Sequence, residues 1–255
     1  MTENMLGYMV DVRSRSKLLE DIYEKISSKE RVGLGALWLA CINPHSYAEA
    51  KKDRHFSEAL KNADWLIPDG AGVVLASRLL GGSIEERVTG SDIFFGVLEC
   101  LNQKGGGSVF FMGASEETLA IIRKKIAIDY PRVRLAGTYS PPFKPSYSNE
   151  EIKNMITAIN SAAPDVLWVG MTAPKQEKWI FDNRSKLNVR FIAAIGAVFD
   201  FYSGKVRRSH PVFQKMGLEW LPRLVQQPRR LWRRMLVSAP IFLWDVFLNK
   251  RVKKY

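Results

Sequence analysis

The chain has 255 residues, 46% hydrophobic and 25% charged, with 18 Gly and 12 Pro. That composition excludes a disordered or collagen-like chain and suffices to bury one full core with an appendage. Cys41 and Cys100 lack C-x-x-C spacing, which argues against a disulfide scaffold or a Cys-ligated zinc centre, and no uncharged apolar run reaches the ~20 residues of a bilayer span. The N-terminal segment carries no secretory signal pattern, so a cytosolic protein is expected. The formal net charge is +12, and the 33 residues from Arg223 to Tyr255 hold +8 of it, with Asp245 their one acidic residue. A surplus so placed directs an anionic partner to the C-terminal end.

In chain order, short apolar runs alternate with amphipathic segments. A strand is expected at Ala36–Ile42, then a helix at Tyr47–Ala63, a strand at Trp65–Ile67 and a helix at Gly72–Leu80. A helix at Asp92–Gln103, a strand at Ser108–Met112 and a helix at Glu116–Asp129 follow; in the last, Leu119, Ile122 and Ile126 mark one face. The series continues with strand Arg134–Gly137, a Pro-rich loop, helix Asn149–Ala162, strand Val166–Val169, helix Gln176–Lys186 and strand Phe191–Ile195. Such alternation predicts an α/β fold, a Rossmann-like parallel sheet with helices on both faces. The organisation reads as an α/β domain over 1–221 and a basic amphipathic appendage over 222–255. Within the appendage, Pro222, Pro228 and Pro240 punctuate short pieces, and Ile241–Leu248 is almost wholly apolar beside Trp232, Trp244 and several cations. That pattern fits an interfacial membrane anchor; a helix packed on the domain with solvated basic residues is the alternative. No stacking stripe or reader motif supports nucleic acid.

Four places at expected strand ends carry the chemistry. Asp69 follows Trp65-Leu66-Ile67-Pro68 and precedes two glycines; a carboxylate there can take a proton from a hydroxyl, or simply cap the next helix. The small-residue turn Gly113-Ala114-Ser115 opens a helix whose N–H groups suit an anion. Lys175 and Gln176 follow Ala173-Pro174 at another strand-to-helix passage, where a Pro-initiated helix with a solvated first turn is the plain alternative. Asp200 follows the last apolar strand. No D-x-D pair, P-loop, H-E-x-x-H or G-x-S-x-G is present, and His45, His55 and His210 are scattered, so no metal site is expected.

Taken together, Asn43-Pro44, Pro68-Asp69-Gly70, Glu86-Arg87-Val88-Thr89-Gly90-Ser91-Asp92, Gly113-Ala114, Ala173-Pro174-Lys175-Gln176-Glu177-Lys178-Trp179, Phe199-Asp200 and Gly217-Leu218-Glu219-Trp220-Leu221 occur in an order that resembles the WecG/TagA/CpsF family of bacterial glycosyltransferases. The resemblance implies inverting transfer of a sugar from a UDP-sugar to a polyprenyl-diphosphate-linked saccharide. It places the enzyme peripherally at the cytoplasmic membrane face, in surface polysaccharide synthesis, with no metal or other cofactor. By position, Asp69 resembles the family's proposed general base, and Arg223, Arg230 and Arg233 match the basic positions of its C-terminal appendage, where guanidinium groups are expected to bind the leaving diphosphate. Gln176 falls on the polar position of its A-P-K-Q-E signature, and Asn43, Arg87, Gly113, Ala114, Lys175, Gln176 and Asp200, all within these motifs, are the expected substrate-binding residues. Expected partners are the UDP-sugar, the lipid-linked acceptor and an anionic membrane surface; the oligomeric state, a homo-oligomer included, is left open. Two departures stand out: Cys41-Ile42 replaces the Thr-Pro common before Asn43, and Arg208-Ser209-His210 replaces Arg-Ala-Pro. A non-catalytic nucleotide-binding module docked on membranes and a nicotinamide-dependent oxidoreductase are the competing functions.

Overall fold

A computed structural model describes residues 1–28, 35–206, 232 and 234–252. An antiparallel hairpin, β1 (Thr2–Met5) and β2 (Tyr8–Asp11), precedes α1 (Arg15–Ser27). Then come β3 (Leu37–Ile42), α2 (Pro44–Ala50), α3 (Arg54–Lys61), β4 (Trp65–Pro68), α4 (Ala71–Leu79) and α5 (Gly90–Gln103). They lead to β5 (Gly107–Gly113), α6 (Glu116–Asp129), β6 (Val133–Tyr139), α7 (Asn149–Ala162), β7 (Val166–Gly170), α8 (Lys175–Asn183), β8 (Phe191–Ala194) and α9 (Val198–Ser203). A π-helical turn at Arg234–Ser238 runs into α10 (Ala239–Val252). Six parallel strands form one sheet in the order β4-β3-β8-β7-β5-β6.

Successive strand side chains point to opposite faces, and each face has its own core. Trp38, Ala40, Leu66, Met112, Leu167 and Ile192 pack on one side with residues of α2, α3, α4, α7, α8 and α10. Leu39, Ile67, Phe111, Trp168 and Ala193 pack on the other against α1, α5, α6 and α9. The expected α/β architecture with helices on both faces is therefore present.

Three local features differ from the expectation. The single helix at Tyr47–Ala63 is two, because Asp53 accepts from the Phe56 N–H and starts α3 anew. The apolar periodicity simply runs on across that break. The N-terminal hairpin and α1 were not anticipated; each hairpin strand is only four residues long, and β1 is mostly polar. The apolar run Ile241–Leu248 is the middle of a longer helix that continues through Lys250. One face of α10 packs on the domain: Phe242 and Val246 are buried, and Asp245 accepts from Tyr47 Oη at 2.8 Å and Lys51 Nζ at 2.6 Å. The other face exposes Leu243, Trp244, Phe247 and Leu248. Among the described residues no helix is long and apolar enough to cross a membrane.

Candidate functional site

β3 leads outward to β4 at one edge of the sheet and β5 outward to β6 at the other. The loops after them diverge and leave a crevice at the carboxyl ends of the central strands, where open α/β sheets bind ligands. The crevice has a volume of about 1060 Å³, and its walls include Asn43, Asp69, Ala114, Lys175, Gln176 and Asp200. Six of the sequence-derived positions are thus brought together from five strand ends. Gly113 and Arg87 are not on the wall, and Arg223, Arg230 and Arg233 lie outside the described residues.

Each wall residue is held by local chemistry. Asn43 caps α2: its Oδ1 accepts from the N–H groups of His45 and Ser46 at 3.0 and 2.9 Å, while Ser46 Oγ accepts from the Asn43 N–H. That occupies the oxygen and leaves the amide NH₂ as what Asn43 can offer the cleft. Asp69 stands half-buried just past β4, its N–H bonded to Ile42 O at 2.8 Å. The N-cap of α4 is Gly70, with φ at 130° and no side-chain cap, so Asp69 is not that helix's N-cap residue. Thr89 and Asp92 form a capping box on α5, which sets Gly90 and Ser91 into the wall.

Gly113 matters for a steric reason. A Cβ there would come within 2.3 Å of Gly170 O, and its φ is 122°. Glycine lets the ends of β5 and β7 close up and brings the Ala114 N–H to Gly170 O at 3.1 Å. Ser115 then caps α6 at the cleft, and Lys205, also on the wall, reaches Ser115 Oγ at 3.3 Å. Lys205 supplies a cation there that sequence reading did not select.

Lys175 separates the crevice from a neighbouring cavity of about 870 Å³ beside α7 and α8. Its Nζ donates to Lys144 O at 2.8 Å and lies 4.7 Å from the Tyr147 ring centroid, and burial lowers its pKa. The first turn of α8 is not solvated: Gln176 and Glu177 are buried, and burial pushes the Glu177 carboxyl up to about 7. Burial, with the charges of Asp69 and Glu177 adding to it, also pushes the Cys41 thiol well above its ordinary value. Cys41 therefore lines the cleft as a thiol rather than a thiolate. Among the described residues no three His, Cys, Asp or Glu converge as metal ligands would.

A half-buried carboxylate, amide groups and a capped helix N-terminus round one strand-end crevice suit the binding of a nucleotide-linked substrate and the deprotonation of a hydroxyl. The description Glycosyl transferase WecG/TagA/CpsF family matches residues 3–255, and the chain belongs to that family. It is a glycosyltransferase. An N-acetylglucosaminyldiphosphoundecaprenol N-acetyl-beta-D-mannosaminyltransferase of Bacillus spizizenii is 31% identical over 214 residues, covering 84% of this chain and 80% of that one. The protein of the same description from Bacillus subtilis is 31% identical over 87% of this chain and 82% of its own. The Staphylococcus aureus counterpart is 26% identical over 98% of this chain and 94% of its own.

Proposed function

We propose that this glycosyltransferase moves a sugar from a UDP-sugar to a hydroxyl of a polyprenyl-diphosphate-linked saccharide, with inversion, during synthesis of a bacterial surface polysaccharide. The names of the relatives point to an N-acetylmannosaminyl donor and an N-acetylglucosaminyl-diphosphoundecaprenol acceptor. Asp69 takes the proton of the acceptor hydroxyl as its oxygen attacks the anomeric carbon; the bond from that carbon to the diphosphate breaks, and UDP leaves. Arg223, Arg230 and Arg233 meet the departing charge, since a guanidinium pairs with phosphate oxygens through two parallel hydrogen bonds. Cations in that role make a metal ion unnecessary.

The observation that carries this reading is the position of Asp69: past the end of β4, on a cleft wall shared with Asn43, Ala114 and Gln176. The exposed row Leu243, Trp244, Phe247 and Leu248 on α10 supports peripheral attachment at the cytoplasmic membrane face, where such an acceptor would be met. The test is a panel of UDP-sugars with a short-chain prenyl-diphosphate N-acetylglucosamine, followed by mass and anomeric analysis of the product. A new β-linked disaccharide is expected with UDP-N-acetylmannosamine. UDP affinity without turnover on any donor would instead indicate a nucleotide-binding module.

A further inference from the structure

Glu177 is an expensive residue to keep. It is 4% exposed, Oε2 has no hydrogen-bond partner among the described residues, and an apolar side chain of similar volume would cost the fold less. Its carboxyl is bonded by its neighbour: Gln176 Nε2 donates to Glu177 Oε1 at 2.8 Å. On its other side Gln176 Oε1 accepts from the Gly196 N–H at 3.1 Å. Gly196 has a φ of 40°, and a Cβ there would sit 3.3 Å from Met171 O and 3.4 Å from Gln176 Oε1, so the close approach of this N–H favours glycine.

The two bonds fix the Gln176 amide in one of its two orientations. Turned over, Nε2 would face the Gly196 N–H, donor against donor, and Oε1 would face the carboxyl oxygen, acceptor against acceptor when Glu177 is ionised. One Nε2 hydrogen is spent on Glu177, and the other has no acceptor among the described residues although Gln176 lines the cleft.

We propose that Glu177 is a positioning residue acting through Gln176: it locks the amide so that the second Nε2 hydrogen is presented to an oxygen of the UDP-sugar. This rests on the reading of the cleft as the donor site. Glu177 itself need touch no substrate.

The experiment is a double-mutant cycle on the full chain with UDP-N-acetylmannosamine and a short-chain prenyl-diphosphate N-acetylglucosamine, joined to NMR of the Gln176 side-chain amide. Glu177→Leu is expected to lower kcat/KM by about tenfold or more, the scale of one lost hydrogen bond to a charged group. Glu177→Gln keeps an acceptor oxygen and is expected to restore most of that loss. The double variant Gln176→Ala/Glu177→Leu is expected to be no slower than Gln176→Ala alone, because a residue that acts only through Gln176 has nothing left to act on. In the amide spectrum one Nε2 hydrogen is protected from exchange in the wild type and in Glu177→Gln, and unprotected in Glu177→Leu. Glu177→Ala serves as the acceptor-free variant if the leucine does not fold. Additive losses in the cycle, a Glu177→Leu rate within threefold of wild type, or unchanged amide protection in that variant would each overturn the proposal. If the wild type transfers no sugar, the donor-site reading fails, and amide protection alone decides whether Glu177 holds Gln176.

Discussion

At Asp69 the question is whether a carboxylate or merely a polar side chain is required. Asparagine keeps the shape and removes the proton acceptor, so Asp69→Asn is expected to lower kcat by about 10²–10⁴, the usual yield of general-base catalysis. UDP affinity, measured by calorimetry, should stay within a few-fold of wild type. Near-normal turnover would remove Asp69 from the mechanism. Glu177 offers a different measurement, on stability. Its folded pKa of about 7 stands above the ordinary 4.5, so the folded state holds this proton more tightly than the unfolded chain does. The stabilisation from the proton is complete below the unfolded value and is lost as the pH rises through 7. Wild type should therefore lose stability between pH 5 and pH 8 relative to Glu177→Gln, by at most on the order of 3 kcal/mol. Urea unfolding of both proteins at the two pH values reads the difference, and parallel pH slopes would show that Glu177 does not titrate there. Asp69 was legible because a strand ending Pro-Asp-Gly puts its carboxylate at a ligand edge by local geometry alone. Glu177 was not, since a polar first turn reads as solvated. The side chain it bonds, Gln176, is tied in turn to Gly196, a residue from a different strand end.

Elements were legible in proportion to their burial. The sheet strands are apolar runs walled on both faces by helices, so β3, β5, β7 and β8 announce themselves. The hairpin of β1 and β2 has mixed burial, and its meaning comes from what it packs against rather than from its own pattern. α10 is the most informative helix because its two faces make separable predictions. Phe242 is 1% exposed and meets the Tyr47 ring edge-on at a centroid distance of 5.3 Å. Phe242→Ala should therefore destabilise the chain by about 3–5 kcal/mol in denaturant unfolding. Trp244 and Phe247 are exposed, so replacing both by alanine should change stability by no more than about 0.5 kcal/mol per site while lowering co-sedimentation with anionic vesicles. Unchanged vesicle binding in that double variant would place the attachment elsewhere on the chain. Lys250 and the other basic residues beyond it add a charge contribution that salt should screen.

On the scale of the whole molecule, the sheet arranges the proposed reaction along one axis. Asp69 stands after β4 at one edge, and the turn into α6 follows β5 near the other, so the cleft runs across the strand ends between them. Leaving-group charge in such a cleft has to be met by protein cations or by a metal ion. With the arginines in that role, EDTA should leave the transfer rate within about twofold, whereas metal catalysis would leave large activity losses on chelation. Loss of turnover on chelation, restored by magnesium or manganese, would assign the diphosphate to a metal instead.

β8 has a consequence for how the chain comes to be folded at all. It lies between β3 and β7, so among the described residues it alone joins the pair β3–β4 to the group β5–β6–β7. A nascent chain that has not yet emerged past Phe191 holds two half-sheets, each with an open inner edge of unpaired backbone groups on Val- and Leu-rich strands. Those edges can pair with one another across different chains as readily as with the strand still being synthesised. The fold thus closes from its middle, late in synthesis. The cleft gains its hold on Gln176 at nearly the same moment, because Gly196, whose N–H bonds that side chain, follows directly after the strand that closes the sheet.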